Sequence, residues 1–314
     1  MDRQRHVLTA NHIVILSCVF VLLIPWVVIS FPKKTPRNLL PLSEIPSNNK
    51  QFEGNQAFQH ITSQLNLGPR PTGSSAGWAT GEFIIAELEA AGWQVEIQEF
   101  YFKGVKGRNI IGKRGQGTQI TMLGAHYDTR PAADWDPDPT KHAIWIDGAN
   151  DGASGVAVLL ELARTVDTAS MENDLWLLFF DAEDRGQLDG WPFLVGSNHF
   201  VQTLTVTPQE LILVDMVGDK DQTIFFERSS DMALQQEIWA VAADLGYKDT
   251  FIPQVRHTIV DDHTPFIERQ IPAIDIIDFD YPYWHTTADT IDKVSPESLH
   301  RVGHTLEVWL ERTR

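Results

Sequence analysis

A chain of 314 residues with 43% hydrophobic and 21% charged residues has the make-up of one large or two small globular domains, which excludes a wholly disordered or fibrous protein. Its 25 basic and 42 acidic residues leave a net charge of −17, and that excludes a nucleic-acid binder, because neutralising phosphates takes clustered basic surface. The lone cysteine, Cys18, lies inside an apolar run, so the folded part has neither a disulfide framework nor a cysteine-ligated metal site.

Residues 1–12 form a short basic segment carrying Arg3 and Arg5, and from Ile13 to Phe31 no charge occurs. At about 1.5 Å per helical residue that run nearly spans a bilayer core of about 30 Å. It reads as a transmembrane anchor or an export signal, with Val28-Ile29-Ser30 a weak cleavage site. Basic residues flank both ends, so charge does not fix orientation, but either reading places the rest of the chain outside the cytoplasm, anchored or secreted. Residues 32–52 carry Pro32, Pro36, Pro41 and Pro46 and read as an extended linker. Residues 53–314 then read as one catalytic domain.

Within that domain, apolar spacing predicts helices over 55–66 and 76–91, closed by Gly68-Pro69 and by Gly92. Strands are expected over 94–101, 107–112 and 119–125. An alternation follows: helix 152–166, strand 174–181, a helix near 195–203, strands 210–217 and 223–227, helices 231–245 and 263–269, strand 272–279 and helix 296–312. The expected fold is α/β, a mostly parallel central sheet with helices on both faces.

Open parallel sheets bind ligands beyond the carboxyl ends of their strands, so the residues that follow each apolar run matter most. Ile120–Ala125 leads into His126-Tyr127-Asp128, Trp176–Phe180 into Asp181-Ala182-Glu183-Asp184, and Leu211–Val214 into Asp215. Ala273–Phe279 leads through a short loop into Trp284-His285-Thr286, and Asp151 stands immediately before a helix. Any one of these is more often a cap or a structural histidine; five at one sheet edge, without cysteine, are a ligand set for zinc or a similar divalent ion. Glu183 and Asp184 are neighbours whose side chains diverge, so one can bind metal while the other handles a proton. Asp134, Asp136 and Asp138 alternate like a calcium loop, but the prolines between them and the missing downstream Glu make a turn-rich loop the expectation.

Four segments carry a family resemblance: Gly124-Ala125-His126-Tyr127-Asp128, Gly148-Ala149-Asn150-Asp151-Gly152-Ala153-Ser154-Gly155, Phe179-Phe180-Asp181-Ala182-Glu183-Asp184 and Trp284-His285-Thr286. Together they resemble the zinc aminopeptidase and glutaminyl cyclase superfamily, from Gly68-Pro69-Arg70 almost to the chain end. For a two-zinc aminopeptidase the resemblance implies a bridging Asp151, with Asp184 and His285 completing one site, His126 and Asp215 the other, and Glu183 as general base. For a glutaminyl cyclase it implies one zinc on Asp151, Asp184 and His285, with Glu183 moving the proton, Asp261 organising its transfer and Asp215 hydrogen-bonding nearby.

Ile259-Val260-Asp261-Asp262-His263, the Trp284-His285 pair and the Asp134–Pro139 insertion resemble the cyclase branch, in which Trp284, Tyr281, Trp191 and Ile259 would wall a substrate pocket. Asp184 stands where animal cyclases have Glu, and their cysteine pair is missing. The resemblance therefore implies a cyclotransferase acting on N-terminal glutamine of peptides or proteins, with aminopeptidase hydrolysis as the alternative and a non-catalytic binding ectodomain as a minor one. One Zn²⁺ is expected for the cyclase and two for the aminopeptidase.

Overall fold

The computed structural model describes residues 37, 39–44 and 50–313. The apolar run 13–31 lies outside them; among the described residues no helix is long and apolar enough to cross a membrane. Of the expected linker, Arg37, Leu40 and Phe52 lie against the folded body, whereas residues 41–44 are exposed. The Arg37 guanidinium reaches Glu210 at 2.7 Å and Glu237 at 2.9 Å, the Leu40 backbone N–H donates to the Arg312 carbonyl, and Phe52 is buried.

Six strands form the central sheet in the order β1-β2-β4-β3-β5-β8. These are β1 (Gln94–Phe102), β2 (Val105–Arg114), β3 (Ile120–His126), β4 (Asp174–Phe180), β5 (Glu210–Asp215) and β8 (Ala273–Ile277). The four strands β4, β3, β5 and β8 run parallel, whereas β1 and β2 add an antiparallel hairpin at one edge. The hairpin turns at Lys103-Gly104, both at positive φ, the geometry a two-residue turn needs to match strand twist. Two short strands, β6 (Ile224–Glu227) and β7 (Phe251–His257), form a separate parallel pair. The sequence reading has no counterpart to β7, whose side chains are mostly exposed and give no apolar run.

Side-chain alternation along the strands divides the core in two. Leu175, Leu177 and Phe179 of β4, with Ile212 and Val214 of β5, pack under α3 (Ala153–Thr165) and the helices around it: α1 (Gly54–Leu67), α2 (Ser75–Ala90), α5 (Met232–Asp244) and α7 (Pro296–Arg312). Leu178, Phe180, Leu211 and Leu213 face the other way, against Phe200 of α4 (Val195–Thr203) and Phe266 of α6 (Thr264–Glu268).

Helix α3 links β3 to β4 on one face, and α4 links β4 to β5 on the other. The chain thus changes direction across the sheet between β3 and β5, and the crevice at their carboxyl ends is where such sheets hold ligands. Helix α3 approaches this crevice closely, because a Cβ on Gly155 would run into the Val214 carbonyl oxygen. Gly155→Ala is expected to lower stability by about 1–3 kcal/mol despite the better helix propensity of alanine, read as a lower urea midpoint.

Candidate active site

Each functional group arrives on a constrained loop. His126 ends β3, and the Asp128 carboxylate two residues on accepts the backbone N–H groups of Glu183 (3.0 Å) and Asp184 (3.2 Å), tying the loops after β3 and β4 together. Asp151 sits in the turn before α3, where Gly152 takes φ 93 and a Cβ would press on the Asp128 carbonyl oxygen. That turn is clamped from two sides. The buried Arg70 guanidinium donates to the carbonyls of Asp147 and Gly148, and the Asp289 carboxylate accepts from the backbones of Asn150 (2.9 Å) and Asp151 (3.1 Å). Ala182, Met216 and His285 all adopt positive φ, a backbone strain that re-aims the chain beside Glu183, Asp215 and Trp284.

Two groups of ligand atoms result, and Asp151 belongs to both: His126–Asp151–Asp215 and Asp151–Asp184–His285, all buried. In the second group His285 Nε2 lies 2.9 Å from Asp184 Oδ1 and 3.5 Å from Asp151 Oδ2. In the first, His126 Nε2 lies 3.1 Å from Asp151 Oδ1 and 3.2 Å from Asp215 Oδ1.

The two groups differ in how their polar atoms are satisfied. Both oxygens of Asp184 and Oδ2 of Asp151 are buried and have no aligned hydrogen-bond donor. His126 is saturated: its Nδ1 donates to the Asp128 carbonyl, and its Nε2 faces the Asp215 carboxylate, which also accepts from the Met216 N–H. Buried carboxylate oxygens without partners are costly, and a divalent cation held by Asp151, Asp184 and His285 would remove that cost. Carboxylate and imidazole donors are a normal zinc set, so the residues present fit the ion.

The electrostatics point the same way. Burial pushes the Asp184 carboxyl up to about 6, Asp215 up to about 7, and Glu183 well above the usual carboxylate range. Burial also raises Asp261 and Asp262. For His126 burial is outweighed by Asp215, Asp128 and Asp151, which raise its pKa; for Asp151 burial is outweighed by His126 and His285, which lower it. The crevice has more buried carboxyls than cations, as a site built around a metal ion would.

A cleft of about 350 Å³ opens over this centre and includes Asp151, Glu183, Asp184, Asp215, Asp261, Ile259, Trp284 and His285 among its lining. Trp284 stacks on the His285 ring at 3.8 Å, and Trp135 of the insertion stands 5.0 Å from Trp284. Two expected wall residues, Tyr281 and Trp191, lie outside the lining of this cleft. Tyr281 is buried beneath the site and donates its hydroxyl to Asp289 Oδ1 at 2.7 Å, so it braces the Asp151 turn. Trp191 is buried against Phe102 at 4.8 Å, with the Arg185 guanidinium over its ring.

Phe193, Phe279, Met216 and Gln187 line the cleft instead. Phe279 follows β8 and Met216 follows Asp215, so both stood at strand ends where the sequence offers a signal; Phe193 and Gln187 sit in an irregular loop that gives none. The acids of the insertion diverge as expected of turns: Asp134 pairs with Arg130, Asp136 accepts from Thr287, and Asp138 caps a short helical turn.

Fold and site together define an α/β enzyme scaffold with a zinc-type centre at the point where the sheet reverses direction. A family model described as peptidase family M28 matches residues 109–310. The chain belongs to that family and, within the zinc aminopeptidase superfamily, to its glutaminyl cyclase branch.

Among solved structures it is similar to a glutaminyl cyclase of Bacteroides thetaiotaomicron bound to N-acetylhistamine, at 34% identity and TM-score 0.78, covering 84% of this chain and 99% of that one. It is also similar to a structure described as a leucine aminopeptidase precursor from the same organism, at 34% identity and TM-score 0.80, covering 85% and 100%. A glutaminyl-peptide cyclotransferase-like protein of Bos taurus is 26% identical over 287 residues, spanning 77% of this chain and 71% of the relative.

Proposed function

We propose that the protein is a glutaminyl-peptide cyclotransferase that converts an N-terminal glutamine to pyroglutamate with release of ammonia, using one zinc ion. The observation that carries the reading is that, within the two ligand groups, the carboxylate oxygens without a partner belong to Asp151 and Asp184, while His126 and Asp215 are joined by a hydrogen bond. The likeness to glutaminyl cyclases supports it.

Asp151, Asp184 and His285 would hold the zinc, which when bound supplies Lewis-acid polarisation to the γ-carboxamide oxygen of the substrate. Glu183, beside the ligand Asp184, takes a proton from the α-amine as its nitrogen bonds to the carboxamide carbon Cδ, and gives a proton to the departing ammonia as the Cδ–nitrogen bond of the amide breaks. Asp261 and Asp215 stand in the same cleft and hold that proton path. The apolar wall of Ile259, Trp284, Phe279 and Phe193 excludes water, which favours attack by the substrate's own amine over hydrolysis. The substrates are peptide or protein N-termini. The apolar run 13–31 supports an extracytoplasmic place of action.

Ammonia release from a glutaminyl peptide, assayed beside amine release from a leucyl amide, tests the reading. Pyroglutamate formation without leucine release is expected; cleavage of the leucyl amide without cyclisation would mean an aminopeptidase, in which His126, Asp151 and Asp215 hold a second ion.

A further inference from the structure

Phe193 is a wall shared by two clefts, the one over Glu183 and a second of about 400 Å³. Its ring is fixed from behind, since a Cβ on Gly186 would strike it and the Arg130 guanidinium stands 5.6 Å from its centroid. Arg130 also donates to the carbonyls of Asp184 and Gly186, so the ring is seated on the loop that carries the metal ligand.

The second cleft touches Phe100, Tyr101 and Phe102 in succession. Neighbouring strand residues point to opposite faces, so a cleft that meets three in a row meets β1 along its edge, and β1 is an edge strand of the sheet. Such an edge accepts an extended peptide through main-chain hydrogen bonds. Tyr101 is 71% exposed, an unusual amount of uncovered aromatic surface, and Asn198 and Gln202 of α4 line the same cleft.

We propose that this second cleft is a subsite for the peptide downstream of the N-terminal glutamine, which passes over Phe193 and lies extended along β1 with an aromatic or large apolar side chain among Phe100, Tyr101 and Phe102. The proposal rests on the cyclase reading for the placement of the substrate's first residue. The occupant follows from continuity: the reactive end fills one cleft, and at about 3.3 Å per extended residue the next few residues reach the other across the shared wall.

The test uses the full chain and two readouts, kcat/KM for glutaminyl peptides and the calorimetric Kd of their pyroglutamyl products. A pentapeptide with phenylalanine at its third and fourth positions is expected to show a kcat/KM about five- to tenfold higher than a glutaminyl dipeptide, and its product a Kd lower by the same factor. Tyr101→Ser, which removes the exposed ring, and Gln202→Trp, which fills the cleft, should each bring the ratio near one. Equal Kd values for long and short products in the unmodified chain would overturn the subsite, whatever the turnover. Absence of cyclisation for every peptide would instead overturn the cyclase reading, and the Kd ratio would still judge the subsite.

Discussion

Glu183→Gln is expected to reduce turnover about 10³-fold while zinc content stays at the wild-type level, because proton transfer by a positioned carboxyl contributes about 10²–10⁴-fold. Gln keeps the shape of the side chain and the backbone N–H bond to Asp128, so the loop that aims Asp184 is undisturbed. What it loses is a group able both to accept a proton from the amine and to return one to ammonia. Metal analysis beside steady-state kinetics reads the two effects separately, and equal loss of zinc and activity would contradict the division of roles between Glu183 and its neighbour.

Asp184→Ala should do the opposite and empty the centre. Both of its oxygens are buried without aligned donors, so they are free to bind a cation, and its backbone stays pinned by Asp128 after truncation. Losing one of three protein ligands should remove zinc from the purified protein, whereas a change in a group that only hydrogen-bonds near the ion costs about 10–100-fold in affinity. In wild type, zinc should raise Tm by mass action; in Asp184→Ala that increment should vanish at the same zinc concentration. Retained zinc with a normal thermal shift would remove Asp184 from the ligand set.

Much of this arrangement was legible in the sequence because strand ends announce themselves. The apolar runs closing at Ala125 and Val214 hand over directly to His126 and Asp215, the run closing at Phe180 leads to Asp184 four residues on, and the fold delivers all three to one crevice. The pocket walls were not legible in the same way. Tyr281 sits four residues before His285, near enough to suggest a wall, yet its hydroxyl is drawn down to the Asp289 carboxylate and the ring is buried beneath the site. Trp191 was drawn instead into an apolar cluster with Phe100, Ala182 and Val195, a tertiary contact that local spacing cannot encode. The antiparallel hairpin at the sheet edge was likewise read only as consecutive strands, since its direction is set by the turn at Lys103-Gly104 and not by apolar content.

The number of zinc ions per chain tests the account most directly, because it follows from which carboxylate oxygens of the two ligand groups lack partners. Wild-type protein should hold about one tightly bound zinc, as a three-ligand catalytic site does. His126→Ala should keep that ion, since the His126 ring is committed to the Asp128 carbonyl and the Asp215 carboxylate, and His285→Ala should release it. Two equally tight zinc ions in wild type, one of them lost in His126→Ala, would contradict the single-ion site and make the centre that of a two-zinc aminopeptidase.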